Sequence, residues 1–244
     1  MPRPGSRPVS VARLFLGGTE TAIAEKAGKA EARAAALRRS HPTWSTDRLA
    51  KSVVDRYVAT VTVVGGGAGA AAAIPAAGFV TGLALTTADL GIYGLATARM
   101  ILTVAALYDV DLRREDIRRI HVLGILAGDE AAIAAAAEMA GTADKLTASS
   151  VQLLNNRLAR NVTLRVGTRM VSARMATLIP LGIGAIAGGG VNFLLGRGVG
   201  HRAISSFRNL RLRSIDQAPP IVTTATVAAP AWPSPQPNPE VWRS

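Results

Sequence analysis

The chain has 244 residues, of which 49% are hydrophobic and only 4% are aromatic, and its net charge is +12. This composition excludes a wholly disordered chain, because it provides ample apolar side chains for a core, and it favours closely packed helices over an aromatic-rich sheet. With no cysteine and only three histidines, it excludes disulfides and cysteine nucleophiles and predicts no metal site.

The N-terminal part of the chain predicts an arm followed by two helices. Residues 1–17 are expected to form a flexible arm, because they begin basic and proline-rich and are too interrupted to be a signal peptide. Thr19 is placed to cap a helix that runs to about Arg39. A second helix begins near Ser45 and dissolves into the glycine run that starts at Gly65.

The next part of the chain predicts five more helices and no strand. Pro75 and Pro180 each break the chain before a glycine-rich apolar helix, so we expect two proline-led apolar helices in a hairpin-like arrangement. Gly128 and Gly141 are expected to close two short helices. The predicted fold is an all-α, glycine- and alanine-rich helical bundle. Its last five helices are expected over about 76–107, 117–127, 129–140, 142–178 and 182–212.

The composition changes abruptly after Asp216. Seven of the 13 prolines lie in residues 217–244, which predicts a disordered, proline-rich tail. Two tryptophans in this segment leave open whether it is a docking ligand or only a tail. The predicted organisation is an arm at 1–17, one helical domain at 18–216 and the tail at 217–244.

Two long segments are almost free of charge. Between Tyr57 and Tyr108 only Asp89 and Arg99 are charged, and residues 175–196 carry no charge at all. Both segments contain glycines four residues apart, a spacing that lets membrane helices approach closely. The pattern favours membrane insertion or tight membrane association, and the alternative is a soluble bundle whose central helices are buried on all sides. The predicted helix-packing glycines are Gly65, Gly69, Gly78, Gly82, Gly184 and Gly188.

Positive charge is concentrated in the C-terminal third. Eleven basic residues and no acidic residue lie between Lys145 and Ile215. Arginine binds phosphate well because its planar guanidinium bonds two oxygens at once. The region therefore predicts contact with membrane phosphates or nucleic acid, unless it is only a solvated helix face. Nucleic acid is disfavoured because a 22-residue apolar stretch interrupts the basic region.

Catalytic motifs are missing from the sequence. The glycine run lacks the Lys-Ser/Thr pair of a nucleotide-binding loop, and no serine-hydrolase elbow, zinc-protease pair or kinase signature occurs. We therefore predict no enzymatic activity, no catalytic residue and no cofactor.

Four polar residues in or beside the apolar segments are candidate site residues: Asp89, Arg99, Asn192 and Arg202. Asp89 and Arg99 are ten residues apart, about 15 Å along a helix, so they cannot pair directly. Asp89 is expected to meet Arg174, Arg197, Arg202 or Asn192 from a different helix, because an unpaired charge in apolar surroundings is costly. Such a pair is either structural or part of a ligand or transport site.

Several separated segments carry a resemblance to a known family: Ala88-Asp89, Arg99–Leu102, Ala105–Asp111, Leu178–Pro180, Gly184-Ala185, Gly190–Phe193 and the helix over Arg202–Arg213. With these segments in this order, the sequence resembles the EcsC family over roughly residues 45–213. The resemblance implies a bacterial, helical, membrane-associated protein with no established enzymatic activity or cofactor, in a family named after a product encoded beside an ABC transporter. By position, it makes Asp89, Pro180 and Asn192 motif residues. Extra spacing around the first glycine after Pro180 and the proline-rich tail depart from the family pattern.

These observations favour a non-enzymatic, membrane-associated helical protein on the cytoplasmic side, acting as an accessory or modulator of an ABC transporter or another envelope process. The expected partners are anionic lipid and a transporter or other membrane protein. The alternative is a peripheral or soluble helical protein that binds a lipid or another amphipathic anion between its apolar helices and its basic rim.

Asp89 provides a direct test of the structural interpretation. Removing one member of a buried pair costs about 3–5 kcal/mol, so Asp89→Ala should lower the melting temperature strongly. Asp89→Asn should lower it less, because the amide keeps an acceptor. Thermal unfolding followed by helicity measures both. A ligand role would instead leave Asp89→Ala as stable as the wild type while in vivo complementation is lost.

Overall fold

The computed structural model describes residues 6–25, 27–72, 78–141, 148–176 and 183–216, and every regular element in these ranges is a helix. Within these helices, side-chain surroundings are described except at residues 6–12, 64–89, 141, 148, 165–176, 183–189 and 191–192. The all-α prediction is confirmed for this part of the chain. The helices are α1 (Ser6–Ala24), α2 (Ala27–Ser40), α3 (Thr46–Ala72), α4 (Gly78–Leu107), α5 (Glu115–Ala127), α6 (Glu130–Gly141), α7 (Ala148–Ala176) and α8 (Ile183–Asp216).

Several helix ends lie where local chemistry predicts them. The Ser45 hydroxyl accepts a hydrogen bond from the Arg48 amide, 3.3 Å away, and so caps α3. Gly128 closes α5 in the left-handed conformation at φ 65°. Asp109 ends α4 in the same way at φ 60°, and the Val110 amide donates to the Ala105 carbonyl. These two terminations produce the sharp turns that bring α5 and α6 back onto the bundle.

The N-terminal prediction requires correction. Residues 6–17 are helical rather than a loose arm, because α1 begins at Ser6 and its Phe15 is buried against the rest of the protein. Thr19 lies inside α1, fully buried, and its hydroxyl donates to the Leu16 carbonyl. The helix predicted from Thr19 to Arg39 is divided near Glu25. Tertiary packing stabilises a helix here that local propensity does not indicate.

The glycine predictions have two outcomes. α3 does not dissolve at Gly65 but continues as a helix to Ala72. The six glycines predicted to pack helices lie in helical backbone, but their surroundings are outside the described residues, as are Pro75 and Pro180, the two residues predicted to lead the apolar helices.

The centre of the protein is formed by α3, α4 and α8. Tyr57 of α3 is hydrogen-bonded to Thr97 of α4, 2.7 Å between hydroxyls, and Tyr108 donates to Asp47, 2.5 Å away. These contacts make α3 antiparallel to α4. Arg208 of α8 also pairs with Asp47 at 2.9 Å.

Further contacts between α3 and α8 lie closer to the C-terminus of α3. Gly200 packs on Val54, and Gly196 packs on Tyr57 and Val61. These contacts show that α8 runs antiparallel to α3. It therefore runs parallel to α4.

Glycines let two pairs of helices cross at short distance: α1 with α4, and α3 with α8. A Cβ atom on Gly18 of α1 would overlap the Gly91 carbonyl of α4, and one on Gly94 would overlap the Phe15 carbonyl. A Cβ atom on Gly200 of α8 would overlap the Val54 side chain of α3. Close backbone approach is thus provided by glycines that the sequence analysis did not single out.

A second layer is formed by α5, α6 and α7. All but three residues of α5 are buried, and this helix packs against α1, α6 and α7. Val151, Leu158 and Val162 form the buried face of α7. The continuous core therefore extends from α3 and α8 through α4 to α5.

Adjacent glycines in α1 provide a matched test of the crossing. Gly18→Ala should destabilise the protein by about 1–3 kcal/mol or more, because the added methyl group meets backbone rather than a flexible side chain. Gly17 has no atom within 4 Å of its Cβ position, so Gly17→Ala should stabilise it by up to about 1 kcal/mol. Urea unfolding monitors both variants. Equal effects at the two positions would contradict the crossing.

Candidate membrane-binding site

The three central helices α3, α4 and α8 change from charged to almost uncharged at the same level, which we call the charge boundary. Arg56 is the last charged residue of α3, Arg197 is the first of α8, and Arg99 lies at this level on α4. The register of the helices supports this alignment, because Tyr57 contacts both Thr97 and Gly196. Beyond this charge boundary, α3, α4 and α8 contain one charged residue, Asp89.

Exposed apolar side chains lie at the charge boundary. Val63 is 74% exposed, Leu194 is 69% exposed and Phe193 is 39% exposed. The Arg197 guanidinium lies 5.8 Å from the centre of the Phe193 ring, within the range of a cation–π contact, and Arg197 is exposed. An arginine over an exposed aromatic ring is suited to the interface between lipid and water.

The opposite end of the central helices, which we call the polar pole, is built from ion pairs. Asp47 accepts hydrogen bonds from Tyr108 and Arg208, and Asp109 pairs with Arg38 at 2.8 Å and with Arg211 at 3.5 Å. Burial, together with the hydrogen bond to Asp47, raises the pKa of Tyr108 to about 12, so the phenol stays protonated. The two ends of the bundle therefore differ sharply in chemistry.

Arg99, a predicted site residue, has a structural partner. Its Nε donates to Glu25 Oε1, 3.0 Å away, and its Nη2 contacts the same oxygen. Glu25 also pairs with Arg33 and Lys29, and its side chain is only 11% exposed. Burial raises the pKa of the Glu25 carboxyl, but the hydrogen bonds from Arg99 and Arg33 outweigh burial, and the pKa is lowered overall. This cluster fixes the α1–α2 junction to α4.

The other predicted site residues are less fully placed. Arg202 is partly buried on α8. The side chains of Asp89 and Asn192 lie outside the described surroundings, so the pairing expected for Asp89 stays a prediction. Among the described residues, no group of three histidine or acidic side chains is arranged to hold a metal ion.

Two buried polar residues escaped the sequence analysis. Arg118 is 5% exposed and donates to three carbonyls, those of Ile23, Leu112 and Arg113, at 2.7–3.0 Å. It ties the end of α1 to the turn before α5. No local motif predicts this role, because the neighbours of Arg118 in sequence include several exposed arginines and acids.

His121 is fully buried, and neither ring nitrogen has a hydrogen-bond partner among the described residues. Its ring stands edge-on to Phe207 of α8, with 5.6 Å between ring centres. Burial lowers the pKa of this imidazole to about 4, and the Asp111 carboxylate opposes the shift only in part. His121 is therefore neutral at pH 7 and functions as an apolar packing group.

Only one stretch among the described residues is long and apolar enough to cross a membrane. This stretch, Leu90–Leu107 of α4, has 67% of its residues buried inside the protein. The core helix of a soluble protein has the same properties, so this helix is a weak indication of membrane association. No protein-family model, curated protein or solved structure matches this chain. The EcsC resemblance therefore stays a prediction from the sequence motifs.

His121 makes stability depend on pH. The unfolded chain takes up the imidazole proton near pH 6.5, whereas the folded protein takes it up only near pH 4, so stability falls as the pH falls between these values. Between pH 7 and pH 5 this loss is about 2 kcal/mol.

His121→Leu should remove that part of the pH dependence, whereas the exposed His201→Gln should leave it unchanged. Urea unfolding of each variant at both pH values measures the difference. A pH dependence that persists in His121→Leu would mean that other groups cause it.

Proposed function

We propose that this protein is a non-enzymatic, membrane-associated helical bundle whose uncharged end enters the lipid while its polar pole stays in the cytoplasm. One observation carries the proposal: the antiparallel register directs the uncharged halves of α3, α4 and α8 to the same end of the bundle. These halves are residues 57–72, 78–98 and 183–196, and Asp89 is the one charged residue in them.

The distribution of charge supports this orientation. Charged side chains at the bilayer centre cost several kcal/mol each, whereas arginines at the lipid–water boundary reach the headgroups. Arg56 and Arg197 occupy such a boundary, with exposed apolar residues on the side facing away from the polar pole. A bundle of this kind gains free energy by burying these halves of α3, α4 and α8, because the ion pairs described for the three helices lie at the charge boundary or on the side of the polar pole.

The outer face of α7 supports contact with the membrane surface. Leu153 and Leu164 are 71% and 67% exposed, and Arg157 and Arg160 are exposed between them. Mixed leucine and arginine faces bind at the interface of anionic bilayers, because the leucines enter the headgroup region while the arginines meet phosphate. This face adds electrostatic attraction to the insertion of the uncharged end.

We further propose that the protein acts as an accessory to an ABC transporter or another envelope process. This choice of partner rests on the EcsC resemblance alone. The peripheral alternative, a helical protein that binds a lipid or amphipathic anion without inserting, is favoured by the burial of Leu90–Leu107 inside the protein. Salt and alkaline carbonate washes of isolated membranes separate the two: retention through both indicates insertion, and release by salt alone indicates surface binding.

The absence of cysteine makes a position-specific test possible, because any introduced thiol is unique. We expect a polarity-sensitive fluorophore on Leu194→Cys or Val63→Cys to shift to the blue on adding phospholipid vesicles. The same fluorophore on Leu212→Cys should not shift, because Leu212 is 54% exposed beside the polar pole. Equal spectra with and without vesicles at Leu194 and Val63 would overturn the proposal, as would an equal shift at Leu212.

A further inference from the structure

A groove lies between α3 and α8 at the charge boundary, with a volume of about 380 Å³. We call it the boundary groove, and its lining includes Asp55, Val58, Thr62, Val63, Phe193 and Arg197. Its floor is apolar, because Val58 is buried there, and its two ends differ. Val63 and Phe193 lie toward the uncharged end, and Asp55 and Arg197 lie toward the polar pole.

The groove lining carries one acid and one base, Asp55 and Arg197, and no ion pair described for the chain joins them. The Asp55 carboxylate pairs with Lys51 at 2.9 Å, so its charge is compensated within α3. Arg197 is exposed, and its contact in the described part of the chain is with the Phe193 ring. Its guanidinium is therefore available to an anion that enters the groove.

A second polar group in the groove also lacks a partner. The Thr62 hydroxyl is buried and has no hydrogen-bond partner among the described residues. A helical threonine usually bonds the carbonyl one turn earlier, as Thr60 does with Arg56 and Thr97 with Tyr93. Because the Thr62 hydroxyl is buried in the groove wall, Arg197 is the donor that an entering anion meets.

We propose that the boundary groove binds the phosphate of a membrane phospholipid, with Arg197 as the donor and with Val63 and Phe193 against the glycerol and first acyl carbons. The inference rests on the proposed function, since it assumes that the uncharged end lies in lipid. Arginine is suited to this contact, because its planar guanidinium bonds two phosphate oxygens. The order of the lining matches a lipid molecule, whose phosphate and acyl carbons are also arranged along one axis.

Two glutamine variants at the charge boundary test the proposal. Arg197→Gln removes the groove charge, and Arg56→Gln removes an exposed arginine at the same level on α3 that does not line the groove. Both lower the net charge equally and at the same depth, so general attraction to the membrane surface affects them alike. Binding is measured by flotation with vesicles of phosphatidylcholine, of phosphatidylcholine with phosphatidylglycerol, and of the phosphate-free lipid digalactosyldiacylglycerol.

On phosphatidylcholine, which has no net charge, Arg197→Gln should bind about fivefold more weakly than the wild type, whereas Arg56→Gln should bind nearly as well as the wild type. The wild type should prefer phosphatidylcholine to the glycolipid, and Arg197→Gln should lose that preference.

Three results would overturn the inference: equal losses for Arg197→Gln and Arg56→Gln on every vesicle, no loss for Arg197→Gln on phosphatidylcholine, or an equal loss for Arg197→Gln on the glycolipid. In each case, a blue shift at Leu194→Cys would leave the proposed function standing. If that shift is also missing, the proposed function fails together with the inference.

Discussion

The close contact between α3 and α8 determines the arrangement of the rest of the protein. Because the Val54 side chain occupies the space where Gly200 would carry a Cβ atom, the two helices have little freedom to slide. The same register brings Arg208 to Asp47 and Gly196 to Tyr57. The charge boundary, the boundary groove and the polar pole all follow from this single alignment.

The internal ion pairs explain why the net charge of +12 is distributed unevenly over the surface of the protein. Glu20, Glu25, Asp47 and Asp109 each pair with at least one arginine from another helix. Acids in the body of the protein are therefore neutralised by contacts that also fix helix positions. The arginines described on the outer face of α7 have no acidic neighbours in sequence, so the positive field is concentrated there.

Local chemistry was sufficient to predict the elements that depend on a single residue. Ser45 and Gly128 terminate helices because of their own side chain or lack of one, and the sequence places both correctly. By contrast, nothing local distinguishes Gly18, which lies at a backbone crossing, from its neighbour Gly17, which faces open space. The buried partner of Arg99 could not be predicted either, because Glu25 is 74 residues away and lies outside the apolar segments. The charge boundary is a similar case, since it is visible only after the helices have been aligned.

The distance in sequence between the two helices of the central contact has a consequence for biosynthesis. Asp47 and Arg208 are separated by 161 residues, so α3 and α4 emerge from the ribosome well before α8 exists. At ordinary elongation rates the interval is roughly 10–30 s. During that time the surface that Gly196 and Gly200 later cover is exposed on the nascent chain, together with the uncharged halves of both helices. Until α8 is made, a chaperone or a membrane that meets the nascent chain therefore acts on an α3 surface that the finished bundle covers.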